Sequence, residues 1–283
     1  ISRPSDDPVG TVYSLRLRSD LNDIAIFTSN VDHALSWLGS TEDALLHAGD
    51  IIQRASDLAV TGANGSNPQD ALNAIADEVD QLLEHIVQIA NSAQAGQYLF
   101  AGTKTGALAD EVSYKPFELK EMQDNGKLKR QVEYHGNDQG RSTEIGADID
   151  FAYNVNGIDA FAMKKVDDEN WTSVVFDSLI DLSSNLREGD TNAISNDTIG
   201  KLNQALDYLV AQRAEVGAKI NRLEMTQSRL SSAEINFTSL LSKTEDLDVA
   251  ETIIHLKTQE TVYRAALATG ARIMQPTLVD FLR

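Results

Sequence analysis

The sequence predicts a mainly α chain. Its N- and C-terminal segments form an elongated antiparallel helical bundle, and a small antiparallel β domain is inserted in the middle. Three observations predict this. The five prolines are Pro4, Pro8, Pro68, Pro116 and Pro276, so long intervals contain no residue that removes a backbone donor and breaks a helix. Eight of 17 glycines lie in the 62 residues from Gly96 to Gly157, and ten of the 17 aromatic residues fall between Tyr98 and Phe176. Both flanks repeat apolar residues at intervals of seven, which keeps one seam of a helix facing a neighbour.

In the first flank the series runs Leu17, Ile24, Val31, Leu38, Leu45 and Ile52, and Ala59 continues it. About 50 helical residues make a rod of roughly 75 Å. Leu21 and Leu35 stand four residues beyond seam positions, but Thr28, Glu42, Gly49 and Ser56 occupy the equivalent places, where a two-stranded zipper takes Leu. This predicts one helix in a bundle with several neighbours. The stretch Gly62-Ala63-Asn64-Gly65-Ser66-Asn67-Pro68 ends it, because Gly and Asn tolerate positive φ and Pro restricts its predecessor. Leu72, Ile75, Val79, Leu82, Ile86, Ile89 and Ala93 then alternate spacings of three and four, a second helix. So short a connection predicts an antiparallel pair.

The middle changes to a period of two. Ile145, Ala147, Ile149, Phe151 and Tyr153 alternate with polar or small residues, and Leu128, Arg130, Val132 and Tyr134 do so less cleanly. Asn125-Gly126 is a hairpin-turn dipeptide, and Asn137-Asp138-Gln139-Gly140 is a second candidate turn. Val174 to Leu186 fits a short amphipathic helix, and Asp190 to Asp197 reads as a polar loop. The cleanest heptad follows: Leu202, Leu209, Val216, Leu223, Leu230 and Phe237. Leu206, Ile220 and Leu241 fill part of its second seam, while Arg213, Gln227 and Glu234 do not. Glu245-Asp246-Leu247-Asp248 resembles a turn with capping carboxylates, after which Ile253, Leu256, Tyr263 and Leu267 mark a final helix. The expected division is residues 1–95 for the N-terminal half of the bundle and 96–165 for the β insert. Residues 166–283 hold the C-terminal half and the start of a terminal coiled-coil helix.

Composition excludes several functions. With 24 Lys+Arg against 43 Asp+Glu, the net charge is −19, opposite to what tracking a nucleic-acid backbone or docking on an anionic membrane requires. The chain has no cysteine, which removes disulfides, thiolate metal sites and thiol nucleophiles. The sequence has no apolar run long enough for a bilayer span. His33, His47, His85, His135 and His255 include no i,i+4 pair, so the HExxH metal pattern is absent. GxSxG and the glycine-rich phosphate motifs are absent too. The oxygen-rich stretch from Asp190 to Asp197 lacks EF-hand spacing. No catalytic residue, cofactor or metal is expected. A carboxylate-based enzyme in the β insert remains as a rival reading, which requires two carboxyls in one cleft.

Five segments carry a family resemblance. They are Ile1 to Gly10; Ala90-Asn91 through Gly96 and Tyr98-Leu99-Phe100 to Thr103; and Val132 to Arg141. The others are Arg213 to Glu224, and Asp246 to Glu251 together with Gln259 and Tyr263. In this order they resemble the flagellin superfamily, and within it the flagellar hook–filament junction proteins, or third hook-associated proteins. The resemblance implies a structural subunit of the bacterial flagellum that joins the hook side to the filament by helical self-assembly through its terminal helices. Flagellin and the hook-side junction protein are the implied partners, together with an export chaperone; neither nucleic acid nor membrane is implied. The implied location is extracellular, after type III export of an unfolded chain, and a cysteine-free sequence suits that route. Leu256, Tyr263 and Leu267 are the expected coiled-coil contacts, and Asp6, Asp7 and Arg54 are expected contacts between or within bundles. A flagellin filament subunit is the alternative within the superfamily. Because the chain begins at Ile1, further sequence is expected upstream, including a helical partner for the final helix.

Overall fold

A computed structural model describes residues 8–105, 115–124, 127–166, 171–246 and 249–273. Helix α1 (Pro8–Gly62) starts on a proline, whose missing N–H costs nothing in a first turn. Its heptad seam is buried throughout: Leu17, Ile24, Val31, Leu38, Leu45, Ile52 and Ala59 are each at most 7% exposed. The second seam falls three residues later rather than four, at Ala34, Thr41, Ala48 and Ala55. A third line is Trp37, Ala44, Ile51 and Leu58. A search for leucine misses these lines because most of their residues are small. Three buried lines along one helix need more than one neighbour, as the bundle reading expects.

Helix α2 (Gln69–Ala90) follows the predicted break and buries Leu72, Ala76, Val79, Leu83, Ile86 and Ala90. Predicted Ile75, Leu82 and Ile89 sit half-buried beside that stripe, and Ala93 lies past the helix end. Arg54 on α1 meets Glu78 on α2, two positions similarly distant from the loop, as an antiparallel pair requires. Helix α4 (Val174–Glu188) starts at Ser173, whose hydroxyl accepts from the N–H groups of Val175 and Phe176. It stops at Gly189, where φ is +70°. The Gln69 side-chain amide donates to the Leu186 and Arg187 carbonyls at 3.2 and 3.0 Å, so the first residue of α2 caps the end of α4.

The β insert consists, among the described residues, of separate two-stranded antiparallel ladders rather than one sheet. Strands β1 (Ala93–Gln94) and β2 (Gln97–Tyr98) flank Ala95-Gly96, both at positive φ, the signature of a type I′ turn. Strands β3 (Phe117–Asp124) and β4 (Lys127–Tyr134) pair on either side of Asn125-Gly126, a dipeptide outside the described residues. The alternation from Ile145 to Tyr153 is not one strand. It divides into β5 (Ser142–Gly146) and β6 (Ile149–Ala152) around Asp148, whose φ of 59° reverses the chain. Asp is among the few L-residues that enter this region readily. The short helix α3 (Gly157–Ala160) precedes β7 (Met163–Lys165) and β8 (Trp171–Ser173), and β8 runs directly into α4. Phe100, Phe117, Phe161 and Phe176 form a fully buried cluster with ring centroids 5.2–5.8 Å apart. Phe176 belongs to α4, so this cluster anchors the insert to helix. Gly157 packs so tightly here that a Cβ would lie 2.5 Å from both Phe117 and Tyr134.

The predicted polar loop from Asp190 to Asp197 is helical instead. Helix α5 (Thr191–Ala193) leads into a π-helical segment, Ile194–Thr198, and then into helix α6 (Ile199–Glu245). Its polar residues Asn192, Ser195, Asn196 and Asp197 face outward, while Ile194 and Thr198 are buried. Seen without the buried positions, an outward helical face reads as loop. In α6 the predicted seam is buried from Leu202 to Leu230, with Phe237 half-buried. Helix α7 (Val249–Ile273) follows. The chain divides into two compact units, Ala25–Ser231 and Ile1–Ile24 with Ser232–Arg283.

Candidate assembly surface

Within the unit formed by the chain's two ends, α7 is unlike the other long helices. None of its described side chains is buried. Leu256, Tyr263 and Leu267 are 57%, 66% and 57% exposed. With Ile253 and Glu260 they alternate spacings of three and four, so they form one stripe along the helix. Ile254 and Val262 are exposed as well, on other sides of the helix. Lys257 pairs with Glu260 at 3.2 Å beside the stripe. A seam of this period is built to receive another helix, and water covers it here at a hydrophobic cost. The start of α1 adds Val9, Val12, Tyr13 and Leu15, all exposed. The sequence reading missed these because they lie off the heptad seam. Leu17 in the same unit is buried. Arg18 grips Glu245 with two hydrogen bonds of 3.1 and 2.6 Å, which hold that carboxyl below its usual range.

The remaining expected contacts separate. Arg54 lies in the Ala25–Ser231 unit and donates to Glu78 at 3.0 and 2.6 Å, an exposed pair within the chain. Asp6 and Asp7 lie outside the described residues. The structure therefore sets Leu256, Tyr263 and Leu267 in one exposed stripe, and Arg54 belongs to the other unit.

Two polar arrangements that sequence spacing could not reveal hold the larger unit together. Asp80 on α2 receives Arg130 from β4 through both carboxylate oxygens, Ser183 at 2.5 Å and Arg187 at 2.6 Å. Burial pushes this carboxyl up, but the hydrogen bonds from Arg130, Ser183 and Arg187 outweigh burial and leave it below its usual range. Arg141 lies over the rings of Trp37 and Tyr153, 4.9 and 5.5 Å from their centroids, joining α1 to the insert.

The catalytic rival asks for two carboxyls in one cleft. A cleft of about 470 Å³ is lined by Asp138, Asp159 and Glu215 among others, with Lys219 held 3.0 Å from Glu215. Burial pushes the Asp177 carboxyl up, as a general acid would need, but Asp177 is absent from the lining of the described clefts. It accepts from the Ser173 N–H at 2.9 Å and so caps α4.

Comparison with known families fits this geometry. Residues 1–105 match the bacterial flagellin N-terminal helical region, and residues 199–282 match the bacterial flagellin C-terminal helical region. Together these cover more than half of the chain. The flagellar filament 33 kDa core protein of Treponema phagedenis is 26% identical, over 98% of this chain and 85% of the relative. The fold is similar to that of a flagellar hook-associated protein from Vibrio parahaemolyticus. The TM-score is 0.70 at 18% identity, covering 85% of this chain and 100% of the other. The flagellar junction protein FlgL from Legionella pneumophila gives a TM-score of 0.63 at 15% identity, covering 84% of this chain and 100% of the other. Mainly α flanks around a small antiparallel insert are thus a shared architecture.

Proposed function

We propose that this chain, which belongs to the bacterial flagellin family, joins the hook side of the flagellum to its filament. The observation that carries the proposal is the apolar stripe Ile253, Leu256, Tyr263 and Leu267, exposed on a helix with no buried side chain among its described residues. A subunit that must stay soluble alone and polymerise at its destination needs such a latent surface. The −19 charge supplies the solubility. Head-to-tail contacts that do not close on themselves would build a tube rather than a closed ring.

In this reading Leu256, Tyr263 and Leu267 pack against terminal helices of neighbouring subunits. Asp6 and Asp7 contribute contacts between bundles, while Arg54 steadies α1 against α2. The β ladders, centred on residues 96–165, form an insert turned away from the tube axis. The helices of residues 1–95 and 166–283 supply the bundle and the terminal coiled coil. Flagellin on one side and the hook-side junction protein on the other are the partners. An export chaperone covers the terminal helices before type III secretion delivers the chain outside the cell. The fold likeness to the Vibrio and Legionella proteins supports the junction role over other places in the flagellum. A filament-subunit reading is favoured by a different observation, the 26% identity to a filament core protein over 98% of this chain.

Purified full-length protein added to isolated hooks distinguishes the two. The junction reading expects short, bounded addition at the hook end, followed by filament growth only when flagellin is supplied. Unlimited growth of long filaments from this protein alone would favour the filament reading.

A further inference from the structure

We propose that the outer edge of β3 is a docking site for an extended, lysine- or arginine-bearing segment of a partner protein, which adds to the β3–β4 ladder as a third strand. The proposal does not depend on the junction role. Strand β3 pairs with β4 from Phe117↔Tyr134 to Asp124↔Lys127 without a register shift, and among the described residues no strand pairs with its other side.

Hydrogen bonds fix which residues face that open side. The His135 N–H donates to the Pro116 carbonyl at 2.9 Å, so Pro116 turns toward β4. Phe117 turns away: its N–H donates to Asn91 Oδ1 at 2.9 Å, and its carbonyl accepts from Asn91 Nδ2 at 2.8 Å. Antiparallel pairing alternates strictly, so Leu119 and Glu121 also direct both backbone groups outward. The Asn91 amide thus stands where a neighbouring strand's peptide group would stand. It satisfies Phe117 and leaves the next two outward positions to face a groove.

The groove suits a strand. A volume of about 710 Å³ lies between α2 and β3, with Val87, Phe117 and Leu119 as apolar lining. A cleft of about 230 Å³ shares Glu84 and Leu119 with it and runs on to Asp77 and Glu121. Alternate side chains of an added strand would enter these spaces, while its peptide groups pair with Leu119 and Glu121. Charge sets the partner's chemistry. The walls carry Asp77, Asp80, Glu84, Glu118 and Glu121 against Lys115 and Arg130, with Arg187 on Asp77 and Asp80 and His135 beside Glu118, which leaves an acidic balance on a chain of net charge −19. Lys120, the cation that could guard this edge, is held across the ladder by Glu133 at 2.7 Å.

The test uses the full chain and a capped peptide of alternating lysine and valine. Backbone hydrogen exchange and binding are measured together. The expected result is slowed exchange at Leu119 and Glu121. Binding should fall about tenfold or more when glutamate replaces lysine, or when alternate peptide nitrogens are methylated. Glu121→Pro removes one outward donor without taking a bond from β4, because proline is tolerated where the N–H faces away from the ladder. It should weaken binding similarly while β4 amides stay protected. If that variant proves unstable, the methylated peptide decides alone. Equal binding of the methylated peptide, or unchanged exchange at Leu119 and Glu121, would overturn the proposal. So would edge protection that rises with protein concentration in the absence of peptide, because the occupant would then be a second copy.

Discussion

Replacing Asp80 by Asn tests the polar clamp between α2, α4 and β4. The substitution keeps the shape and one acceptor oxygen but removes the charge. Asp80 and Arg130 are 15% and 20% exposed, so the group they form is largely withdrawn from water. Breaking a fully buried pair costs about 3–5 kcal/mol, chiefly through the charge left stranded. Here neither cation is stranded: Arg130 retains Glu121 at 3.1 Å, and Arg187 retains Asp77 at 2.7 Å. The expected loss is therefore about 2 kcal/mol, near the value of one charged hydrogen bond. For a unit of this size that lowers Tm by about 4–8 °C. Urea unfolding followed by circular dichroism at neutral pH measures it. The sign with pH follows from the lowered pKa of Asp80. Its stabilisation is fully present above the usual aspartate value near 4 and is lost as pH falls through the lower folded value. The gap between wild type and Asp80→Asn should close in acid, where both side chains are neutral. A neutral-pH difference under about 0.5 kcal/mol, or one that persists undiminished in acid, would refute the clamp.

Other substitutions probe the rest of the account. Val216→Asp places an unpaired charge at a position that is 0% exposed on α6 and should abolish cooperative unfolding; an unchanged melting curve would refute the heptad placement. Gly157→Ala puts a methyl group 2.5 Å from Phe117 and 2.9 Å from the Phe100 carbonyl, so a loss of about 1–3 kcal/mol or more is expected in urea titration. Tyr263→Asp changes a residue that is 66% exposed and should leave the melting temperature nearly unaltered while abolishing incorporation into flagella. If Tyr263→Asp melted early, the stripe would be part of the folded subunit rather than its assembly surface.

The α1 and α6 seams were legible because large apolar residues repeat at a period that only a helix turns to one side. The flanking lines of α1 were not, because Ala34, Ala48 and Ala55 carry little apolar signal, and their burial depends on how closely neighbours approach. The β insert was legible in its composition but not in its connections. Asp148 turns a continuous alternation into a hairpin, and no local rule distinguishes an Asp at positive φ from one in a strand. The clamp was hidden for a different reason: Asp80 meets Arg130 and Arg187 across 50 and 107 residues of chain. On the candidate surface, Leu256, Tyr263 and Leu267 could be picked out by spacing alone. Their exposure could not, since the same spacing on α6 is buried.

The junction role is tested most directly by deleting the gene and examining the cells by electron microscopy, with flagellin assayed in the medium. The account predicts intact hooks, no filaments, flagellin released to the medium, and recovery on complementation with the wild-type chain but not with Tyr263→Asp. Filaments of ordinary length on the deleted strain, or absence of flagellin from both cell surface and medium, would contradict it.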